Sequence, residues 1–170
     1  MSIPTLNTVL IGVAVLTGIL IIGALTGRKS VYSEIFIPAA PSDVWQVLSN
    51  TSGYKDWNPV LVPIEGELVK RSTVIYQYTQ EPGKTYELSA KVKSIHEDEH
   101  INQYGGTIGV LTFDHHYILK SVENGTLVTI HEDYRGIGVH FWDPSPVQAA
   151  YDRLGAALKE QVLARSKSGN

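Results

Sequence analysis

An uncharged apolar segment near the N-terminus constrains this chain more than any other feature. No residue from Val9 to Leu25 is charged, and Arg28 and Lys29 follow almost at once. With its uncharged flanks the segment covers about residues 5–26, which gives the roughly 20 residues that a helix needs to cross about 30 Å of hydrocarbon. A buried core helix would carry a polar stripe, and this segment carries none. We therefore expect a transmembrane helix.

A cleaved signal peptide is the alternative to a retained anchor. Signal peptides carry positive charge before a shorter apolar stretch and end at a small-residue cleavage site. Here only the α-amino group is positive before Val9, and the sequence ALT at residues 24–26 matches a cleavage site poorly. We expect residues 1–29 to remain as a membrane anchor. The basic pair after the helix predicts that the following domain stays in the cytoplasm.

The remaining residues, 30–170, have the size of one domain with one hydrophobic core. The net charge is −3 and there is no run of Lys or Arg, so nucleic acid is not an expected partner. The absence of cysteine excludes disulfides, thiolate metal sites and a cysteine nucleophile. There is also no phosphate-binding glycine-rich loop and no G-x-S-x-G motif. No cofactor is therefore expected.

The first elements after the anchor are a strand and a helix. β-branched and aromatic residues predict a strand over Val31–Ile37, which ends at a proline. Pro41 opens a helix, with Ser42 or Asp43 as a side-chain cap for its first turn. The apolar face of this helix comprises Val44, Trp45, Val47 and Leu48. A turn or a second short helix follows over residues 54–59.

Successive antiparallel strands are predicted from Leu61 to Val139. Turn signals separate them at residues 81–84, 97–99, 105–106 and 124–125. The Asn124-Gly125 pair is the strongest signal, because both residues tolerate the positive φ of a type I′ hairpin. A long amphipathic helix is predicted from Pro144 to about Ala164. Its apolar face comprises Val147, Ala150, Tyr151, Leu154, Ala157, Leu158 and Val162.

Five short strings occur in a fixed order along the domain. They are IPAAPSDVW at residues 37–45, YxxWNP at 54–59, FDH at 113–115, GT at 125–126 and EDYxG at 132–136. In this order the chain resembles the START-like (SRPBCC) superfamily, and in particular its polyketide cyclase/dehydrase-type branch. The resemblance implies an α+β helix-grip fold (START-like, Bet v 1-like). In such a fold a curved antiparallel sheet wraps a long C-terminal helix and leaves a cavity for a hydrophobic small molecule.

Strand alternation identifies residues that would face such a cavity, since neighbours on a strand face opposite sides of the sheet. His115 shares a face with Phe113, Tyr117 and Leu119, and Glu132 shares a face with Val128, Ile130 and Tyr134. His115 and Glu132 are therefore the two ionisable groups expected on the apolar face. With Asn124 and Gly125 as the hairpin loop, Tyr117 lies opposite Glu132 and His115 lies opposite Tyr134. His115 and Glu132 then sit on a diagonal, roughly 7–8 Å apart.

The expected ligand-binding residues combine this polar pair with the aromatic residues of the domain, because tyrosine offers an apolar ring and a hydroxyl to an amphipathic ligand. They are Trp57, Tyr76, Tyr78, Tyr104, His115, Tyr117, Glu132, Tyr134, Tyr151 and Leu154.

The histidines do not predict a metal site. His96 and His100 flank an acidic turn between strands, where a solvated hairpin is expected. His115 and His116 are adjacent on a strand and therefore face opposite sides of the sheet.

Three functions remain open. The first is membrane-tethered binding or transfer of a hydrophobic small molecule or lipid, which the anchor favours because an apolar ligand partitions into the membrane. The second is a cofactor-free polyketide cyclase/dehydratase-like enzyme in which Glu132 and His115 form an acid–base pair. If the protein only binds its ligand, as in the first function, Glu132 and His115 satisfy each other's hydrogen bonds or orient the ligand. The third is a non-binding interaction domain whose cavity is filled by its own side chains.

Overall fold

A curled antiparallel sheet and a long C-terminal helix form the domain. The computed structural model describes residues 5–168. The helices are α1 Leu6–Thr26, α2 Pro41–Ser49, α3 Tyr54–Trp57 and α4 Ser145–Ser168, with 3₁₀ turns at Thr51–Gly53 and Ile137–Phe141. The strands are β1 Arg28–Ile37, β2 Leu61–Glu65, β3 Thr73–Glu81, β4 Lys84–His96, β5 His100–Thr107, β6 Leu111–Val122 and β7 Gly125–Arg135.

The sheet has seven strands in the order β1-β7-β6-β5-β4-β3-β2. Every neighbouring pair is antiparallel. Helix α4 packs across the concave face against β1, β3 and β7. Leu154, Leu158 and Val162 of α4 are at most 1% exposed, because the helix presents one apolar stripe to the sheet. The expected helix-grip fold is confirmed.

The β6–β7 hairpin corrects the expected register by two residues. Val122 pairs with Gly125, so Glu123 and Asn124 form the loop. Of these two residues only Asn124 has a positive φ, 64°, and a type I′ turn requires a positive φ at both. A shift of two residues leaves every side chain on its predicted face. It moves His115 from a diagonal position to one directly opposite Glu132.

Several element boundaries also differ from the sequence prediction. β1 begins at Arg28 instead of Val31, and β7 ends at Arg135, after which the chain turns into the 3₁₀ segment. The predicted turn at residues 105–106 lies within β5, and the chain reverses at residues 108–110 instead. Gly106 does have a positive φ of 91°, but it remains paired with Thr112 of β6.

Helix α2 lacks the side-chain cap expected from Ser42 or Asp43. Its N-cap residue is Ala40, which makes no side-chain capping bond. The backbone carbonyl of Ala40 accepts hydrogen bonds from the amides of Asp43 and Val44, at 3.0 and 3.3 Å. Pro41 at the first helical position has no amide to satisfy. The first turn is thus closed by backbone groups.

Helix α1 leads into the sheet through a single residue, Gly27. Its 21 residues span about 31 Å at a rise of 1.5 Å each, and none is buried. Within the described residues it is the one helix long and apolar enough to cross a membrane. The Gly27 carbonyl accepts the Gly136 amide at 3.1 Å, and a Cβ at Gly27 would lie 2.0 Å from the Gly136 oxygen. Only glycine fits this junction.

A candidate ligand-binding cleft beside Glu132

An open cleft of about 460 Å³ lies between the sheet and the first half of α4. Its walls come from strands β3 to β7, from Trp142 after the 3₁₀ turn, and from Val147 and Tyr151 of α4. The volume lies within the range of small-molecule sites. The cleft does not run along the whole of α4, because Leu154, Leu158 and Val162 are buried in the hydrophobic core. Whether side chains fill a groove depends on their volumes, which a hydrophobic pattern does not specify.

Glu132 is the acidic group at the inner end of this cleft. It lines the cleft although only 3% of its surface is exposed. Its Oε2 atom accepts hydrogen bonds from the hydroxyls of Tyr134, at 2.5 Å, and Tyr151. No donor among residues 5–168 bonds to the other oxygen, Oε1. Oε1 is therefore the atom that is left for a ligand in the cleft.

Burial raises the pKa of Glu132 to about 7, although the hydrogen bonds from Tyr134 and Tyr151 lower it. The carboxyl group thus changes charge near neutral pH. Burial, followed by the charge on Glu132, raises the pKa of Tyr134, Tyr151 and Tyr78 well above the usual range. These phenols keep their protons, and Tyr134 and Tyr151 donate theirs to Glu132. The Tyr78 hydroxyl has no partner within residues 5–168.

His115 lies directly opposite Glu132 but is not its ion-pair partner. Its Nδ1 atom is 3.9 Å from Glu132 Oε2 and 3.1 Å from the Tyr151 hydroxyl oxygen. Burial lowers the pKa of His115 to about 3, so the ring is neutral at neutral pH. Because Tyr151 donates its single proton to Glu132, Nδ1 must donate to Tyr151. This tautomer leaves Nε2 as an acceptor, and Nε2 has no partner within residues 5–168.

A small void lies behind Glu132, away from the cleft mouth. Its volume is about 10 Å³, close to the minimum for one water molecule. Tyr76, Gln103 and His115 line it. The Tyr76 hydroxyl and the Gln103 side chain bond each other at 3.2 and 2.9 Å, and burial raises the pKa of Tyr76 to about 12. Gln103 pairs with His115 across β5 and β6.

Eight of the ten predicted site residues lie at the cleft, at the inner void or in the core. Tyr78, Glu132, Tyr134 and Tyr151 line the cleft. Tyr76 and His115 line the inner void together with Glu132 and Tyr151. Tyr117 and Leu154 belong to the hydrophobic core, where the Tyr117 hydroxyl has no partner among the described residues.

Trp57 and Tyr104 do not reach the cleft. Trp57 ends α3 and lines a separate pocket with Val47 and Arg165, at the other end of the domain. Tyr104 is 40% exposed and pairs with Asp114 on the outer face of the sheet. The buried Gln103 takes the inward position on β5, so its neighbour Tyr104 must face outward.

Sequence reasoning missed several cleft and void residues. They are Gln103, Leu88 and Trp142. Phe113 and Val147 also line the cleft; the sequence places them on the apolar faces of their strand and helix without identifying them as ligand-binding residues. The spacing of Ile101 and Gln103, two residues apart on one strand and so on one face of the sheet, was the available signal for the position of Gln103.

Comparisons with known proteins give the same architecture. The family described as polyketide cyclase/dehydrase and lipid transport matches residues 28–163. A protein of Thermus thermophilus has 18% identity and a TM-score of 0.64, with 81% of this chain and 99% of that chain covered. The Zhui aromatase/cyclase of Streptomyces sp. R1128 has 16% identity and a TM-score of 0.58, with 82% and 94% covered.

A plant protein has the same architecture. Ginseng major latex-like protein 151 from Panax ginseng has 17% identity and a TM-score of 0.65, with 81% of this chain and 99% of that chain covered. No curated protein matches the chain in sequence. At these identities the solved structures establish the fold alone.

Proposed function

Because this chain belongs to the polyketide cyclase/dehydrase and lipid transport family, we propose that it binds a hydrophobic small molecule with a hydroxyl or carbonyl group beside Glu132. One observation carries the proposal. A buried carboxyl group has the phenols of Tyr134 and Tyr151 on Oε2 and leaves Oε1 toward the cleft. Oε1 can accept a hydrogen bond when the carboxyl group is ionised, and the polar end of a ligand in the cleft supplies the donor.

The protonation of Glu132 decides which ligand group it binds. Above its pKa of about 7 the carboxylate accepts a hydrogen bond from a hydroxyl, and below it the protonated acid donates one to a carbonyl. The apolar body of the ligand contacts Leu88, Phe113, Trp142 and Val147 along the cleft. These contacts supply affinity by burial, and Glu132 orients the polar end.

Glu132→Gln tests the polar contact. At pH 8 we expect the variant to bind a fluorescent fatty alcohol about tenfold more weakly, which is about 1.4 kcal/mol, because a neutral hydrogen bond replaces a charge-assisted one. A fluorescent alkane of the same length should bind both proteins equally. Glu160→Gln, on the exposed side of α4, is the matched control. Equal loss for alcohol and alkane contradicts the proposed contact.

A cofactor-free cyclase- or dehydratase-like activity is the second candidate. The near-neutral pKa of Glu132 favours it, since general acids and bases work best near the ambient pH. His115 lies behind Tyr151 and faces the inner void, so the catalytic group that touches substrate would be Glu132. In that case Glu132→Gln abolishes turnover and leaves affinity nearly unchanged, which separates the two candidates.

We also propose that α1 is a retained anchor. Its last turn contacts the domain: His140 Nε2 lies 3.1 Å from the Gly23 carbonyl oxygen and 3.3 Å from the Thr26 hydroxyl. Cleavage at residues 24–26 would remove part of this contact and leave the Gly27 junction at a free end. The proposed orientation, with the domain in the cytoplasm, follows from Arg28 and Lys29 beside the helix.

The mature N-terminus and the position of a C-terminal reporter test this topology. We expect mass spectrometry of membrane-extracted protein to find residues 1–26 still attached. A reporter that is active only in the cytoplasm should be active when it is fused after Asn170. A mature N-terminus near Gly27, or a reporter that is active only outside, contradicts the topology.

A further inference from the structure

Three large apolar side chains are exposed at the end of the domain where α1 joins it. Ile108 is 92% exposed, Phe141 86% and Val110 54%. Ile108 and Val110 lie in the β5–β6 connection, and Phe141 ends the 3₁₀ turn. We call these three residues the apolar rim. Such exposure within one region of a soluble surface is a sign of an interaction site.

The two segments that carry the apolar rim are bonded to each other through their backbones. The amide of Gly138 donates to the carbonyl of Val110 at 2.8 Å, and the amide of Ile137 donates to that of Gly109 at 3.0 Å. The β5–β6 connection and the 3₁₀ turn therefore hold the rim side chains as one unit.

The rim lies level with the last turn of α1. The Ile137 side chain packs against Gly23, where a Cβ would lie 2.9 Å from it. His140, next to Phe141, contacts Gly23 and Thr26. If α1 crosses the bilayer to its end at Thr26, this level is the interface between lipid tails and headgroups.

Two exposed arginines lie at the level of the last turn of α1. Arg28 follows the helix within two residues and pairs in register with Arg135 at the end of β7. Both side chains are exposed. Basic residues at this depth are attracted to anionic lipid headgroups. Charge and apolar exposure at this end of the domain therefore both fit a lipid surface.

The apolar rim also borders the mouth of the cleft. Thr107 and Leu111 flank the rim segment of the β5–β6 connection, Trp142 directly follows Phe141, and all three line the cleft. A ligand that enters past the rim thus passes from the interface into the cleft. The opposite end of the domain, at the β6–β7 hairpin, is distant from this opening.

We infer that the apolar rim inserts into the bilayer beside α1, so that the cleft opens onto lipid and its ligand enters directly from the membrane. This inference rests on the proposed anchor and on the proposed binding cleft. It identifies the ligand source as the leaflet that contacts the domain. Free solute in the cytoplasm is then a minor route for an apolar ligand.

Site-specific fluorescence in vesicles tests the position of the rim. The chain contains no cysteine, so Phe141→Cys, Leu16→Cys and Glu123→Cys each accept one environment-sensitive label in the full chain. The vesicles contain phosphatidylcholine and phosphatidylserine, with or without lipids carrying a nitroxide quencher. We expect lipid quenching at positions 16 and 141 and none at position 123.

The outcomes separate the inference from the proposal on which it rests. Quenching at position 16 without quenching at 141 overturns the rim inference and leaves the anchor intact. No quenching at position 16 overturns the anchor and the inference with it. A blue shift at position 141 that lipid quenchers do not affect indicates a protein contact, such as a second copy of the chain, and also overturns the inference.

The rate of ligand uptake gives a second, functional test. Ile108→Asp with Phe141→Asp should slow loading of a fluorescent fatty alcohol from these vesicles at least about tenfold, because two large apolar side chains no longer enter the interface. Affinity in detergent solution should not change, since neither residue lines the cleft. Unchanged loading from vesicles overturns the inference. Weakened binding in detergent would place the effect in the cleft and overturn it as well.

Discussion

Replacing Glu132 with glutamine stabilises the domain relative to wild type increasingly as the pH rises from 4.5 to 7. In the unfolded chain this carboxyl ionises near its ordinary pKa of 4.5, whereas burial raises the folded pKa to about 7. The folded wild type therefore binds more protons in this window and loses free energy of unfolding as the pH rises. A shift of this size corresponds to about 3 kcal/mol. Glutamine does not titrate and escapes the loss.

Denaturant unfolding of the full chain in detergent micelles, followed by near-UV circular dichroism, measures this difference. The comparison is between pH 4.5 and pH 7.5, and Glu160→Gln is the control because its side chain is exposed. The free energies of unfolding of the two proteins differ by some amount at pH 4.5. Between pH 4.5 and pH 7.5 this difference should change by about 3 kcal/mol in favour of the glutamine variant. Parallel curves for the two proteins mean that folding does not raise the pKa of Glu132.

His115 contributes to the same curve with the opposite sign. Burial lowers its pKa from 6.5 to about 3, so the unfolded chain binds the proton first and stability is lost as the pH falls below 6.5. Between pH 4.5 and 6.5 the contributions of His115 and Glu132 oppose each other in wild type. The wild-type curve is therefore flatter over this range than that of Glu132→Gln.

Tyr151→Phe destabilises the domain by about 2–3 kcal/mol at pH 8. The Tyr151 hydroxyl donates to Glu132 and accepts from His115 Nδ1, and a hydrogen bond to a charged group is worth about 1.5–3 kcal/mol. The loss should be larger at pH 8 than at pH 5, because the ionised carboxylate depends most on its donors. Tyr86→Phe, at a position that is 53% exposed, should stay within about 0.5 kcal/mol of wild type.

The same unfolding measurement at both pH values decides this prediction. A loss below about 0.5 kcal/mol, comparable with a surface substitution, would show that the hydroxyl does not hold the Glu132–His115 pair together. A loss that does not depend on pH would show that Glu132 is not the group that the hydroxyl stabilises.

The fold could be predicted because its patterns are local. The alternation Phe113, His115, Tyr117 and the matching series on β7 place these side chains on one face whatever the register, since an error of two residues preserves faces. The apolar stripe of α4 likewise needs a sheet to cover it. Both patterns are visible without knowing any contact.

The composition of the site depends on features that such patterns do not contain. His115 lies directly opposite Glu132 because the loop of the β6–β7 hairpin begins one residue earlier than its Asn-Gly pair suggests. Trp57 ends helix α3, whose position is set by the path of the chain between α2 and β2. This path places Trp57 at the end of the domain away from the cleft. The extent of the cavity depends on how the volumes of Leu154 and its neighbours fill the groove.

Native mass spectrometry of the full chain tests the central claim that the cleft holds a hydrophobic ligand. The protein is released gently from membranes, incubated with a lipid extract of those membranes and freed of unbound lipid. Leu88→Trp fills the cleft from β4, where Leu88 lines it. Ile118→Trp adds the same bulk on the outer face of β6, where Ile118 is 39% exposed. We expect one bound apolar molecule on wild type and on Ile118→Trp, and none on Leu88→Trp. No bound molecule on wild type, or equal binding by Leu88→Trp, contradicts the account.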